Sequence, residues 1–227
     1  TYIEGEGNLT VIGSTWTLVV PNALPDGVYD VVATTTDGAG NTSVDVSTNE
    51  LVIDTTAPAS VPTITPTTTN DVTPAITGTA TVESDETLSV TVGGTTYTEG
   101  DGNLTVTGST WTLVVPNGLP DDTYDVVATI TDDAGNTSVD VSTDEVIIDT
   151  AAPSAPTVSK LITSDTTPVL TGAYDAAASN ALTITVNGVT YDLSDSELTT
   201  AGNTWSLDLS TAAPLAELTY EVVATAT

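Results

Sequence analysis

The sequence predicts an all-β chain: tandem Greek-key β-sandwiches of about seven strands each, joined end to end by short Asp/Pro linkers. Three observations carry this prediction. Threonine and valine, β-branched residues that suit pleated strands, dominate the composition, with 17 Gly and 12 Pro as punctuation. An internal repeat returns at a constant offset: Trp16 and Trp111 stand 95 residues apart (111 − 16), as do Tyr29 and Tyr124, Asn41 and Asn136, and Asp54 and Asp149. A third copy follows at 94, from Trp111 to Trp205 and from Tyr97 to Tyr191. Such a period is too long for a small solenoid unit and fits one complete β-domain per repeat. Short runs also alternate apolar with polar residues, the period-two mark of half-buried strands.

The repeat divides the chain into residues 1–55, the second half of a repeat; 56–150, a complete repeat; and 151–227, a repeat lacking its last strand. In the complete repeat, Val61–Thr65 is the first predicted strand. A threonine-rich loop, TPTTTNDVTP, leads into the second at Ala75–Thr81. Leu88, Val90 and Val92 alternate with polar residues along the third. Gly93-Gly94 then turns a hairpin, which the third repeat writes as Asn187-Gly188, the signature of a type I′ turn. Strands return at Thr95–Thr98 and Leu104–Val106, and Trp111, Leu113 and Val115 share a face of the next. Tyr124, Val126, Ala128 and Ile130 share a face of the run Tyr124–Thr131, and Ser138–Ile148 closes the repeat with a bulge or break near Ser142-Thr143. This order is that of an immunoglobulin-like sandwich. Tyr124 occupies a tyrosine-corner position, two residues before Val126. The tryptophan, however, lies on the fifth strand rather than the third, unlike an antibody domain.

The charge balance limits function. Thirty-one acids face one base, Lys160, for a net charge of −30. A surface this acidic repels nucleic acid and anionic lipid. No apolar run is long enough to span a membrane. With no Cys and no His, disulfides and zinc, copper or haem sites are not expected. Without His, Cys or Arg, catalytic triads and arginine clamps are excluded, so neither an enzyme nor a small-molecule substrate is expected. A chain without Met reads as a fragment or a processed interior piece.

The carboxylates cluster at the two ends of the predicted sandwich. One end gathers Asp54, the turn Glu83-Ser84-Asp85-Glu86, and the turn Asp132-Asp133-Ala134-Gly135-Asn136. The other carries Asp71, Asp121, Asp122 and Asp149. Asp132 and Asp149 therefore lie at opposite ends of one repeat: Asp132 looks back to Asp54, and Asp149 looks forward to the next module. Calcium takes six to eight hard oxygen ligands, and acids packed this closely repel unless a cation neutralises them. Asp and Asn are also ordinary turn formers, and the same residues serve as turns and strand ends without any metal.

Ile53–Pro58 with Pro62, Asp71–Gly78, Tyr124–Thr129 and Asp132–Ser138 together resemble the bacterial immunoglobulin-like repeats of giant surface adhesins, found in biofilm-associated proteins and in adhesins exported by type I secretion. The resemblance implies an extracellular extender at the bacterial cell surface, supporting adhesion and biofilm formation. It also implies calcium at the joints, held by Asp37, Asp54, Asp71, Asp132, Asp133, Asp149 and Asp165. To these the loop acids Asp85, Asp121, Asp122 and Asp175 are added as candidate ligands. The expected partners are neighbouring repeats of the same chain and other copies of the fibre. Two alternatives stand beside the extender: a module that itself binds glycan, ice or a partner adhesin, and a fibre subunit that polymerises by donating strands.

Overall fold

The computed structural model describes all of residues 1–227, and the chain contains no helix. It divides into two compact units, Thr1–Asp149 and Thr150–Thr227. The architecture is all-β and immunoglobulin-like, as the alternating pattern requires.

Residues 1–55 hold six short strands: β1 (Leu9–Ile12), β2 (Thr15–Leu18), β3 (Gly27–Tyr29), β4 (Thr34–Thr36), β5 (Thr42–Val44) and β6 (Leu51–Ile53). They pair as β1-β2, β3-β6 and β4-β5, all antiparallel. None of their hydrophobic side chains is buried, and Trp16 is 49% exposed. The strands form because their sequence is β-prone, but no second layer covers them.

Residues 56–149 form the filled sandwich. Its strands are β7 (Thr63–Ile64), β8 (Thr67–Thr69), β9 (Ala75–Thr79), β10 (Glu86–Val92), β11 (Thr95–Thr98), β12 (Leu104–Thr107), β13 (Thr110–Val114), β14 (Asp122–Tyr124), β15 (Val127–Asp132), β16 (Thr137–Val139) and β17 (Val146–Ile148). One sheet runs β11-β10-β15-β16, another β12-β13-β9-β7, and a third β14-β17-β8. Alternate residues of these strands face inward, so Ile76, Leu88, Val90, Leu104, Trp111, Leu113, Ile130 and Val146 make one continuous core. Each such burial is worth about 1.5–3 kcal/mol. At the β10-β11 hairpin, Gly93 and Gly94 both take positive φ, 56° and 77°, and Asn187 and Gly188 repeat this at 51° and 77°. Both are the φ signs of a type I′ turn.

Two predicted segments are split between sheets, and one predicted loop contains a strand. Tyr124–Thr131 is not one strand: β14 pairs with β17, β15 pairs with β10, and the chain changes sheet at Asp125-Val126. Ser138–Ile148 likewise becomes β16 and β17. It is broken where the Asp140 carboxylate accepts from Ser142 N (3.0 Å) and Ser142 Oγ (2.6 Å), and where Asp144 takes φ 63°. The threonine-rich loop contains a strand, β8, because Thr67–Thr69 finds a parallel partner in β17. Both sheet changes are stapled by Glu145. Its carbonyl accepts from Thr67 N (2.7 Å) and its Oε2 from Val126 N (3.0 Å). Glu145 is 2% exposed, and its Oε1 has no partner.

The second unit contains β18 (Thr157–Val158), β19 (Val169–Ala173), β20 (Leu182–Val186), β21 (Val189–Asp192), β22 (Leu198–Ala201), β23 (Thr204–Asp208) and β24 (Val222–Ala226). They form two sheets, β18-β19-β23-β22 and β21-β20-β24, around Trp205, Leu182, Ile184 and Leu207. No strand of this unit takes the place of β8, β14 or β17.

Candidate functional site

The joint between residues 1–55 and the filled sandwich is built by turns whose carboxylates fold the backbone around themselves. Tyr29 Oη donates to Pro25 O (2.7 Å), and this corner holds the loop that carries Asp26. The Asp26 carboxylate then accepts from the linker hydroxyls, Thr55 Oγ1 at 2.8 Å and Thr56 Oγ1 at 3.1 Å. From the other side, Asn136 Nδ2 donates to Asp54 O at 3.2 Å. Asp54 Oδ1 accepts from Thr56 N at 2.9 Å, closing a turn within the linker itself. The linker is thus held by one repeat's loop and by the next repeat's turn.

Asn136 is presented by Asp132. Asp132 Oδ1 accepts from Asn136 N (2.8 Å) and Oδ2 from Asn136 Nδ2 (2.9 Å), which orients the amide toward the linker. The Asn136 side chain is the main reason the Asp132 carboxyl lies below the usual aspartate range. Asp37 repeats the arrangement, accepting from Asn41 N (2.8 Å), Asn41 Nδ2 (2.8 Å) and Ala39 N (2.9 Å), and is lowered chiefly by the Asn41 side chain. Asp26 is also lowered, first by the Thr55 hydroxyl.

The strand register shows which predicted residues share an end. Glu86 pairs with Asp132 across β10 and β15, so the turn carrying Asp85 and the turn carrying Asp132 and Asp133 lie at the joint end. Asp85 and Asp133 are exposed there. At the far end, Asp122 pairs with Ile148, and Asp149 N donates to Thr69 O (3.0 Å), close in sequence to Asp71. Asp121 precedes Asp122 in the loop whose Pro120 O accepts from Tyr124 Oη (2.9 Å). Asp71 folds its own turn, accepting from Thr73 N (2.9 Å) and Thr73 Oγ1 (3.1 Å); Asp165 does the same with Thr167 N (2.9 Å). Asp175 accepts from Ala177 N (3.2 Å) and Ala178 N (3.3 Å), and Asp122 from Thr123 N (2.8 Å).

The donor set suits calcium in kind, being all oxygen, with neither imidazole nor thiolate. The side chains do not converge: no group of three or more acids is placed to hold a metal ion. Sequence reasoning placed the linker Asp54-Thr55-Thr56 at this joint and missed Asp26, the loop carboxylate that holds its hydroxyls. Asp26 stands 95 residues before Asp121, which was singled out, so the repeat offset alone could have found it. It also missed the buried Glu145, matched by Glu50, whose Oε2 accepts from Val31 N at 3.0 Å.

Solved structures similar to the chain include titin domains A168–A170, at 12% identity over 99% of this chain and 78% of that one, TM-score 0.46. A 1.5-MDa bacterial ice-binding adhesin matches at 23% identity over 86% and 72%, TM-score 0.35. A tetra-tandem repeat from the extending region of a large adhesion protein matches at 23% over 92% of this chain, TM-score 0.34; the chain spans 59% of it. No curated protein matches. The sequence model of the bacterial Ig-like domain matches residues 5–55 and 64–150, more than half of the chain. The chain belongs to the bacterial Ig-like domain family.

Proposed function

We propose that these repeats are spacer modules of a bacterial adhesin or surface fibre, displayed outside the cell, whose task is to hold successive domains at a fixed distance and angle. The observation that supports this is the linker, hydrogen-bonded to Asp26 on one side and to Asn136 on the other. A spacer transmits position only if its joints resist bending, and a short linker bonded on both flanks does so. The likeness to an adhesin's extending region accords with this role.

The joint is tested by Asp26→Ala, with spin labels on either side of the linker. The distance distribution should broaden, and an unchanged width would remove the joint from the proposal. The same distribution should respond to pH. The folded carboxyl of Asp26 titrates below its unfolded value, so the contribution is fully present above the ordinary aspartate range and fades as pH falls through the folded value.

Calcium belongs to the proposal as an added restraint. Asp54, Asp85, Asp132 and Asp133 would hold it at the joint end, and Asp71, Asp121, Asp122 and Asp149 at the other. It would supply neutralisation of like charge. At an ion concentration about tenfold above a Kd on the order of 10⁻⁴–10⁻³ M, binding adds about 1.4 kcal/mol to the folded state. Melting of the chain in calcium against EDTA, at matched ionic strength, reads this directly. Equal melting temperatures would leave a spacer closed by hydrogen bonds alone.

A further inference from the structure

The chain contains two Asn-Gly pairs, Asn117-Gly118 and Asn187-Gly188. A glycine has no Cβ to shield its amide, so its nitrogen can reach the side-chain carbonyl carbon of the asparagine before it. Whether it does so depends on how freely the backbone between the two can turn, and the two pairs differ in this.

Asn187 and Gly188 are the central residues of the β20-β21 hairpin. The turn sets their φ angles at 51° and 77°, Val186 pairs with Val189 across it, and the hydroxyls of Thr185 and Thr190 meet at 2.8 Å. Closing a ring between Asn187 and the Gly188 nitrogen would break the first pair of this ladder. Asn117-Gly118 lies instead in the irregular loop after β13. That loop is pinned before the pair by Val115 N, which donates to Pro74 O (3.2 Å), and after it by Leu119 N, which donates to Val72 O (2.7 Å). Between these anchors Asn117 and Gly118 are exposed, and the Gly118 amide makes no hydrogen bond. Shape does not demand glycine here. Gly118 is outside the left-handed region, a Cβ would meet only Val72, at 3.5 Å, and residues 1–55 carry Ala23 at the same place (118 − 95 = 23).

Three Asp-Gly pairs share the small neighbour, but a carboxylate must be protonated before it can lose an oxygen as water. Asp26, Asp37 and Asp101 are held ionised by the Thr55 hydroxyl, the Asn41 side chain and the Asn103 amide respectively. An asparagine amide has no such protection.

We propose that Asn117 is a site of spontaneous covalent modification, converting without an enzyme to a mixture of aspartate and isoaspartate. Gly118 N gives up its proton and bonds to Asn117 Cγ. The Cγ–Nδ2 bond breaks, the side-chain nitrogen leaves as ammonia with that proton, and a five-membered imide is closed. Water then opens the ring. Cleavage between the ring nitrogen and Cγ yields aspartate, and cleavage at the main-chain carbonyl yields isoaspartate, whose backbone runs through Cγ. Either product puts a new carboxylate into the loop that rests on Val72, next in sequence to Asp71. Isoaspartate also lengthens the main chain by one carbon between two anchors, and so pulls on Leu119, which is 9% exposed at the core. This inference stands apart from the spacer role and does not need calcium.

The whole folded chain, held in warm, mildly alkaline buffer and mapped over time by peptide mass spectrometry, tests it. Asn117 should convert, and Asn187 should lag by at least about tenfold, because ring closure there waits on opening of the hairpin. In urea the two pairs should convert at similar rates, since only the folded backbone separates them. Gly118→Ala should abolish conversion at position 117 on the same time scale and leave the melt of the sandwich unchanged. Labelling by an isoaspartyl methyltransferase should appear in the aged parent and be lost at this position in the variant. Asn187 converting as fast as Asn117 in the folded chain, or Asn117 persisting there while the urea-treated chain converts, would overturn the proposal.

Discussion

Gly78→Ala should unfold the filled sandwich at temperatures where the parent chain is fully native. Gly78 faces Trp111 across β9 and β13. A methyl group there would run into the carbonyl oxygen of Thr63 and lie 2.5 Å from Trp111 Cζ2. Neither neighbour can yield cheaply. The carbonyl belongs to β7, paired with β9, and the indole is 1% exposed within the core. Overpacking of a rigid core costs about 1–3 kcal/mol, and displacing a paired strand adds to it, so a loss at the upper end of that range or beyond is expected. Gly172→Ala should have the same effect on the second unit, where the methyl would meet Thr157 O and lie 2.5 Å from Trp205. Gly108→Ala sits in a turn with open space around it and carries only the strain of φ 60°. Urea melts of the three variants separate these effects. A Gly78→Ala chain as stable as Gly108→Ala would refute the close-packing account.

Trp111→Ala should cost about 3–5 kcal/mol, as deletion of a large buried aromatic does, while Trp16→Ala should change stability by less than about 1 kcal/mol. The two residues occupy the same position of the repeat, yet Trp111 is 1% exposed and Trp16 49%. The difference lies in what surrounds them. β13 has β9 and β12 as neighbours, whereas β2 has only β1. Chemical melts of the two variants give the comparison, and equal costs would mean that residues 1–55 possess a core of their own.

Much of the fold was legible in the sequence because it is written in local signals. The type I′ turn at Asn187-Gly188, the inward face of Leu88, Val90 and Val92, and the tyrosine corner at Tyr124 each need only a few neighbouring residues. The break near Ser142 was legible in its turn-forming residues, but the sheet change at Asp125-Val126 was not. Period-two alternation runs unbroken from Tyr124 through Val126, Ala128 and Ile130, and nothing in that pattern says that β14 and β15 bond to different partners. The change is set by Glu145, which bonds to Val126 N from 19 residues away in sequence. The joint was half legible. Acidic turns were visible as acids, but their first use is to fold themselves, as Asp132 does with Asn136. The groups that reach the linker are an amide and an unremarked loop carboxylate, Asp26.

The parallel pairing of β8 with β17 has a mechanical consequence. The chain enters the sandwich shortly before β8 and leaves it directly after β17. Tension applied through the two ends therefore pulls parallel neighbours in opposite directions along their own axis. Their ladder is loaded in shear, with the bonds from Thr67 N to Glu145 O and from Asp149 N to Thr69 O strained together instead of opened one at a time. Rupture then requires several bonds to fail at once. Lifetime under load is set by that unfolding barrier and not by the equilibrium stability of the core.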